Sequence, residues 1–126
     1  MKSLKLPYPI SANRYWRTYK NRVIRSPEAT AYKKAVGYIA MTEKAQLIDG
    51  DITIHVILHP KLTNKGIASK TRIDLDNALK VVIDALNGIA YTDDKQVVQI
   101  LAEVGDAKID GGLTVLVKKY QNFKIN

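Results

Sequence analysis

The stretch DITIHVILH at residues 51–59 decides the fold that the sequence predicts. Every second residue from Ile52 to Leu58 is a branched apolar side chain, and Thr53, His55 and His59 stand among the intervening positions. Because successive side chains of a strand point to opposite faces, this alternation predicts a β-strand with one face buried. The segments on either side must then supply the helices and strands that cover that face.

Two helices are predicted around this strand. Ser26-Pro27-Glu28 has the composition of a helix start, with an N-cap serine, a proline at the first position and an early acid. Apolar residues follow at helical spacing, and we expect this helix to end between Leu47 and Gly50. A second helix is predicted over residues 75–87, because Asn87-Gly88 supplies a stop and the segment carries an apolar stripe of Leu75, Leu79, Val82, Ile83 and Leu86.

The remaining elements are strands over residues 2–8, 96–104 and 113–119, with a turn at residues 110–112 before the last of them. Residues 10–26 are expected to form a loop with at most a short extended piece at Val23-Ile24. The order is β-α-β-α-β-β. It predicts an α+β fold, a single domain over residues 1–126 in which two helices pack on a four-stranded mixed sheet.

Composition excludes several classes of protein. The chain contains no cysteine, which rules out a disulfide framework and thiolate metal sites. It has no apolar run near the roughly 18 residues of a membrane span. Its first residues lack the apolar segment of a secretory signal. We therefore expect a cytoplasmic protein with no membrane partner.

The net charge of +8 is concentrated at one end of the chain. Residues 1–35 carry nine basic residues and one acid, whereas residues 36–126 carry eleven of each. A basic region of this kind favours a polyanionic partner over mere solubility. Basic residues also crowd residues 60–73, a long segment without an acid, and the two regions together supply the predicted DNA contacts: Asn13, Arg14, Tyr15, Trp16, Arg17, Lys20, Arg22, Lys61, Lys65, Lys70 and Arg72. Alternatively, Tyr15 and Trp16 pack beneath the loop as part of the core.

Four aspartates lie close to the two ends of the second predicted helix: Asp74, Asp76, Asp93 and Asp94. If the strand after Asp94 lay beside the strand leading to Asp74, these carboxylates would meet and offer the hard oxygen ligands that Mg²⁺ prefers. Alternatively, Asp74 or Asp76 caps the helix and Asp93-Asp94 forms an ordinary turn. Lys80 lies one turn after Asp76, where it would pair with that acid or stabilise charge on a phosphate.

Asp84 lies one further turn along the face that carries Asp76 and Lys80. We expect Asp84 to form a structural pair with Lys80 rather than to act as a ligand. His55 and His59 lie four residues apart on the predicted strand, and without a third ligand nearby they do not indicate a zinc site.

Several short runs of residues in a fixed order are more specific than the spacing of the acids. Residues 72–80 read RIDLDNALK, residues 84–88 read DALNG and residues 91–98 read YTDDKQVV. Together with SANRYW at residues 11–16, these runs resemble the RusA family of Holliday junction resolvases, and the likeness extends over about residues 4–104.

The resemblance implies a homodimeric endodeoxyribonuclease that resolves four-way DNA junctions by paired symmetric nicks, in recombination and repair, in a bacterium or bacteriophage. It implies Mg²⁺, for which Mn²⁺ substitutes, and no small-molecule cofactor. It assigns catalysis to Asp74, Asp76, Asp94 and Lys80, and metal binding to the three aspartates with Asp93 as a neighbouring acid. Two other hypotheses remain: a DNA- or RNA-binding module without chemistry, and a phosphatase or nuclease acting on other nucleic acids.

Overall fold

The computed structural model describes residues 3–122 and confirms the α+β class. Its helices are α1 (Ala12–Tyr15), α2 (Pro27–Thr42) and α3 (Leu75–Ala85), and a 3-10 turn covers Asp94–Gln96. Its strands are β1 (Leu4–Leu6), β2 (Trp16–Tyr19), β3 (Arg22–Arg25), β4 (Ile52–His59), β5 (Val97–Val104) and β6 (Gly112–Lys119). In the described part of the chain, no helix is long and apolar enough to cross a membrane.

Strand β4 is the centre of the predicted four-stranded mixed sheet, whose order is β1-β6-β4-β5. It pairs antiparallel with β6, so that Ile52 lies opposite Lys119 and His59 opposite Gly112. Its other neighbour, β5, runs parallel to it and begins at the same end, with Val97 beside Ile52. Strand β1 pairs antiparallel with β6 and completes the sheet.

The core lies between this sheet and the helices. The alternate residues Ile52, Ile54, Val56 and Leu58 are fully buried, which confirms the predicted apolar face of β4. The opposite face of β4 is not fully exposed to solvent, because Thr53 and His59 are buried as well. Their polar atoms are hydrogen-bonded: the hydroxyl of Thr53 donates to Gln99, and both ring nitrogens of His59 have partners.

Helix α2 begins as predicted and ends earlier than predicted. The hydroxyl of Ser26 accepts a hydrogen bond from the backbone N–H of Ala29. The helix stops at Thr42 rather than near residues 47–50, because Lys44 takes a left-handed conformation, with φ of 58°. The N–H of Ala45 then donates back to the carbonyl of Ala40, a bond that closes helix ends of the Schellman type.

Helix α3 is rotated relative to its predicted stripe. It buries the face that carries Ala78, Val81, Val82 and Ala85, while Leu75, Leu79 and Ile83 are only partly buried. Because alanine side chains are short, the helix can approach its neighbours closely on the alanine side. The larger Leu79 and Ile83 are left beside an open groove next to β5.

The prediction of a loop over residues 10–26 was wrong in most of its length. Helix α1 is followed by a hairpin in which β2 and β3 pair from Trp16 and Arg25 to Tyr19 and Arg22. The two-residue turn uses positive φ at Lys20 (49°) and Asn21 (60°), as in a type I′ hairpin turn. Such turns usually contain Asn-Gly or Asp-Gly. Asparagine tolerates positive φ but lysine rarely adopts it, so Lys20-Asn21 is only a weak indication of a hairpin.

The turn at residues 110–112 leads into β6 beside the carboxyl end of β4. Gly111 has φ of 67°, and a Cβ placed there would lie 2.7 Å from the ring of Tyr8 and 3.0 Å from the carbonyl oxygen of His59. Gly66 also has positive φ (75°), but a Cβ there would meet no atom within 4 Å.

We predict that Gly111→Ala is more destabilising than Gly66→Ala in urea denaturation. Both substitutions incur the left-handed conformation, which costs about 1–2 kcal/mol for an L-residue. Only Gly111→Ala must also displace Tyr8 or the backbone of His59. An equal decrease in unfolding free energy for the two variants would show that the turn has room to move.

Candidate active site and nucleic-acid surface

Asp74 lies at the start of α3, in an open cleft of about 640 Å³ at the carboxyl end of β4. It occupies the N-cap position, but its carboxylate makes no capping hydrogen bond. The backbone N–H of the preceding residue, Ile73, donates to the hydroxyl of Tyr8, which fixes the entry to the helix. The cleft is polar and carries basic side chains from three parts of the chain: Arg14, Lys61 and Arg72.

Asp76 and Lys80 are exposed on the outer face of α3, one helical turn apart. The third residue of this face, Asp84, does not form the predicted pair with Lys80. Its carboxylate instead accepts two hydrogen bonds from Arg25, at 2.7 and 2.8 Å, and a third from the hydroxyl of Tyr15. The structural role expected for Asp84 therefore stands, but its partner lies 59 residues away rather than one turn.

Hydrogen bonding keeps Asp84 ionised although it is partly buried. Burial alone would raise its pKa, but the hydrogen bonds from Arg25 and Tyr15 and the charge of Arg25 hold the pKa below its ordinary value. Burial and the hydrogen bond to Asp84 raise the pKa of Tyr15. Lys33 lies close by, and burial lowers its pKa. Its ammonium group donates to three carbonyls at the end of α3, those of Asp84, Ala85 and Asn87.

Asp93 and Asp94 differ in what their carboxylates do. Asp93 caps the 3-10 turn, accepting from the backbone N–H of Lys95, and this hydrogen bond lowers its pKa. The side chain of Gln96 completes a capping box and also donates to the carbonyls of Ile48 and Gly50. Asp94 faces a groove lined by Trp16, Leu79, Lys80, Ile83, Asp84 and Ile100. Asp94 is exposed, and slight desolvation together with the neighbouring Asp93 and Asp84 raises its pKa.

The four candidate acids do not converge within one chain. The strand after Asp94 does lie beside β4, but the two strands are parallel, so Asp94 precedes their amino ends. Asp74 lies beyond their carboxyl ends, in a cleft shared with Tyr8 and Lys61. Along α3, the ten residues from Asp74 to Asp84 span about 15 Å at 1.5 Å per residue. Among residues 3–122, no group of three or more His, Asp or Glu side chains is close enough to hold a metal ion.

The predicted DNA contacts form two basic surfaces. The first, here called the basic hairpin, consists of β2, β3 and their turn, where Arg17, Lys20 and Arg22 are exposed. Asn13 and Arg14 are exposed on α1 beside it. The second is the segment over residues 60–73, which folds back on itself through the pairing of Leu62 with Ala68. Its basic side chains are all exposed: Lys61, Lys65, Lys70 and Arg72.

Tyr15 must be removed from the predicted DNA contacts. Its side chain is fully buried and its hydroxyl is bound to Asp84, so it cannot stack on a base in this conformation. The alternative that it packs as core is correct. Trp16 is half-buried, with its ring edge-on to Tyr15 at 4.9 Å and the guanidinium of Arg25 at 5.9 Å, and it lines the groove that contains Asp94.

The two histidines are used in the sheet. His59 contacts the carbonyl of Asp106 through Nδ1 and the hydroxyl of Thr114 through Nε2, and His55 pairs with Glu103. Both nitrogens of His59 are therefore occupied by hydrogen bonds.

Comparison with known proteins identifies the family. The profile of the family described as endodeoxyribonuclease RusA matches residues 7–124. The chain belongs to the RusA family. It is 34% identical over 97 residues to the crossover junction endodeoxyribonuclease RusA of Escherichia coli strain K12, with 76% of each chain covered. It is 29% identical over 110 residues to the crossover junction endodeoxyribonuclease of Enterobacteria phage HK97, covering 85% of this chain and 84% of the relative.

Membership of the RusA family makes the protein a nuclease and indicates a requirement for a divalent metal. The hypothesis of a binding module without chemistry is thereby set aside. At this site, the sequence did not predict the pair of Arg25 with Asp84 or the contacts of Lys33. No local spacing signals either of them, because each joins residues more than 50 positions apart.

We predict that Arg25→Met lowers the free energy of unfolding by about 1–3 kcal/mol, since it leaves the partly buried carboxylate of Asp84 without its two guanidinium bonds. Methionine replaces the apolar stem of arginine without its charge, so the loss of packing is small. Arg14→Met is the matched control, because Arg14 pairs with Glu28 where both side chains are at least half exposed. Such exposed pairs contribute about 0–1 kcal/mol. Equal effects in urea denaturation would contradict the structural role of Asp84.

Proposed function

We propose that this protein resolves four-way DNA junctions by paired symmetric nicks, as a homodimer that requires Mg²⁺, for which Mn²⁺ substitutes. The observation that carries the proposal is membership of the RusA family, whose named relatives are crossover junction endodeoxyribonucleases. The setting is DNA recombination and repair in the cytoplasm, and a single nuclease domain over residues 1–126 carries the activity.

The distribution of charge supports a DNA substrate. Residues of the 60–73 segment and Arg14 of α1 line the cleft that contains Asp74, and the root of the basic hairpin is bound to Asp84 at the other end of α3. Arginine and lysine at these positions neutralise backbone phosphates and set the register of the strand. Of the two aromatic residues predicted to contact DNA, the half-buried Trp16 lies beside Asp94, where an unstacked base at a branch point would find a partner.

The side chains of the protein have separate roles in this proposal. Lys61 and Arg72 bind the phosphate that enters the Asp74 cleft, and Lys80 stabilises negative charge that develops during cleavage. A bound divalent metal would neutralise charge on the phosphate and orient a water molecule. Asp74, Asp76 and Asp94, with Asp93 as a neighbouring acid, are oxygen donors of the type that Mg²⁺ prefers. Within one chain, no three of these acids lie close enough together to hold a metal ion.

We predict that Asp76→Asn abolishes cleavage of a synthetic four-way junction in Mg²⁺ while the junction is still bound. Wild type should give paired nicks at symmetric positions, only with the metal and not on a linear duplex of the same sequence. Asp110→Asn is the matched control, because Asp110 lies in the same cleft as Asp74 and outside the motif, at φ of 58°, which asparagine tolerates.

Loss of junction binding in step with cleavage, in a folded Asp76→Asn protein, would remove the catalytic role from Asp76. Equal cleavage of linear duplex would instead favour a nuclease of broader substrate range.

We predict that replacing Arg17 and Arg22 of the basic hairpin with alanine weakens junction binding and reduces its salt dependence. Removing one side chain that neutralises a phosphate should reduce the slope of log affinity against log salt by about 1. Replacing Lys118 and Lys119 with alanine removes the same charge from exposed positions of β6, beside the amino end of β4. This change should leave the slope nearly unchanged. A wild-type affinity that is flat in salt would contradict the role of the basic surfaces.

A further inference from the structure

Tyr8 lines the Asp74 cleft from a segment of chain that has little conformational freedom. It stands between Pro7 and Pro9, whose rings restrict the backbone on both sides of it. The carbonyl of Pro7 accepts a hydrogen bond of 2.7 Å from the hydroxyl of Tyr32, a buried residue of α2. The backbone that carries the Tyr8 side chain is therefore attached to the core.

Two other parts of the chain hold the ring of Tyr8. A Cβ at Gly111 would lie 2.7 Å from the ring, so the turn packs against it at a position that has no side chain. The ammonium group of Lys61 lies 4.9 Å from the centre of the ring, within the range of a cation–π contact. The ring thus supports Lys61 in the cleft that both residues line.

The hydroxyl of Tyr8 accepts a hydrogen bond in the cleft, and its own proton has no acceptor. The backbone N–H of Ile73 donates to it at 2.7 Å. The carbonyl of Ile73 accepts from the guanidinium of Arg72 at 3.1 Å, so one residue gathers both side chains at the cleft. In the described part of the chain, no group accepts the proton of this hydroxyl, although Asp74 and Asp110 line the same cleft.

A hydroxyl with these neighbours is suited to bind an anion. An O–H group that accepts a hydrogen bond is polarised by it and donates more strongly. Lys61, Arg72 and Arg14 line the cleft, and their positive charge attracts an anion to it. Tyrosine hydroxyls are among the groups that bind DNA phosphates in proteins. Since a phosphate has two non-bridging oxygens, one of them can accept from Tyr8 while the other faces the ammonium of Lys61.

We propose that the hydroxyl of Tyr8 donates its proton to a non-bridging oxygen of the DNA phosphate that Lys61 neutralises. Tyr8 is then a substrate-binding residue and not only a support for Ile73. The proposal rests on the proposed function and deepens it, because it adds an uncharged contact to a cleft that otherwise binds phosphate through charge. In the alternative, the hydroxyl acts only as the acceptor that fixes the entry to α3.

Two changes at position 8 separate these roles. Tyr8→Phe keeps the ring beneath Lys61 and removes the oxygen. Replacing Tyr8 with O-methyltyrosine, through an amber codon, keeps an oxygen that accepts from Ile73 and removes only the proton. Without metal, both proteins should bind a four-way junction about tenfold more weakly than wild type, as expected for the loss of a hydrogen bond to a charged group. Wild-type affinity of the O-methyltyrosine protein would overturn the proposal.

Tyr38→Phe is the matched control for these changes. The side chain of Tyr38 is 71% exposed on α2 and lies outside the cleft, so the loss of its hydroxyl should leave the junction affinity unchanged. Far-ultraviolet circular dichroism and urea denaturation establish that each protein is folded.

Salt dependence distinguishes an uncharged donor from a displaced Lys61. The hydroxyl carries no charge, so Tyr8→Phe should lower the affinity without changing the slope of log affinity against log salt. Lys61→Met removes a cation and should reduce that slope by about 1. A slope reduced to the same extent in Tyr8→Phe would show that this substitution acts by displacing Lys61, and a direct contact would be excluded.

The contact itself is located with junctions that carry one methylphosphonate at a time, in each stereochemical form, so that either non-bridging oxygen is replaced by a methyl group. At the oxygen that accepts from Tyr8, this replacement should weaken the binding of wild type about tenfold more than that of Tyr8→Phe, which has already lost the contact. Elsewhere the two proteins should lose affinity equally. Equal losses at every phosphate would overturn the proposal, whatever the affinity of the O-methyltyrosine protein.

These readouts separate the inference from the proposed function, because binding without metal does not require cleavage. A protein that shows the coupled phosphate and cuts no junction would leave the inference standing and overturn the function. Junction cleavage by a protein without a coupled phosphate would do the reverse.

Discussion

The parallel pairing of β4 with β5 is the constraint on which the rest of the structure depends. Strand β4 is paired on both sides and fully buried on its apolar face, so its direction is fixed by the core. Because β5 starts at the same end, the chain must return along α3 between the two strands. The crossover places the start of α3 at one end of the sheet and Asp94 at the other. The separation of the acids is thus a consequence of topology.

The contact of Asp84 with Arg25 and Tyr15 joins two parts of the molecule that the sequence keeps apart. It ties the root of the basic hairpin to α3, the helix that carries the acidic motif. Lys33 of α2 adds a third link by binding the carbonyls at the end of α3. A partly buried carboxylate needs such partners, since an unpaired charge there is costly. The basic hairpin and the helix that carries the acidic motif are therefore held in one orientation.

Most of the sheet and both long helices were predictable because each leaves a local periodic signal. The alternation of β4 and the Ser26-Pro27 start of α2 are examples. The basic hairpin was missed because its turn contains lysine and asparagine without glycine, and its strands are exposed on both faces. The rotation of α3 was missed because periodicity counts large apolar residues, whereas the packed face depends on the small Ala78 and Ala85. The burial of Tyr15 follows from a contact with distant Asp84.

The sequence by itself determined the α+β class, the basic amino-terminal region and, through its motifs, the family. These properties follow from local periodicity, from composition and from short runs of residues that need no knowledge of distance. Only the tertiary structure decided where the acids lie relative to one another, that Asp93 caps a turn while Asp94 faces a groove, and that β5 ends the sheet with an apolar edge. Strand order and direction set these relations, because they arise from the packing of segments far apart in the chain.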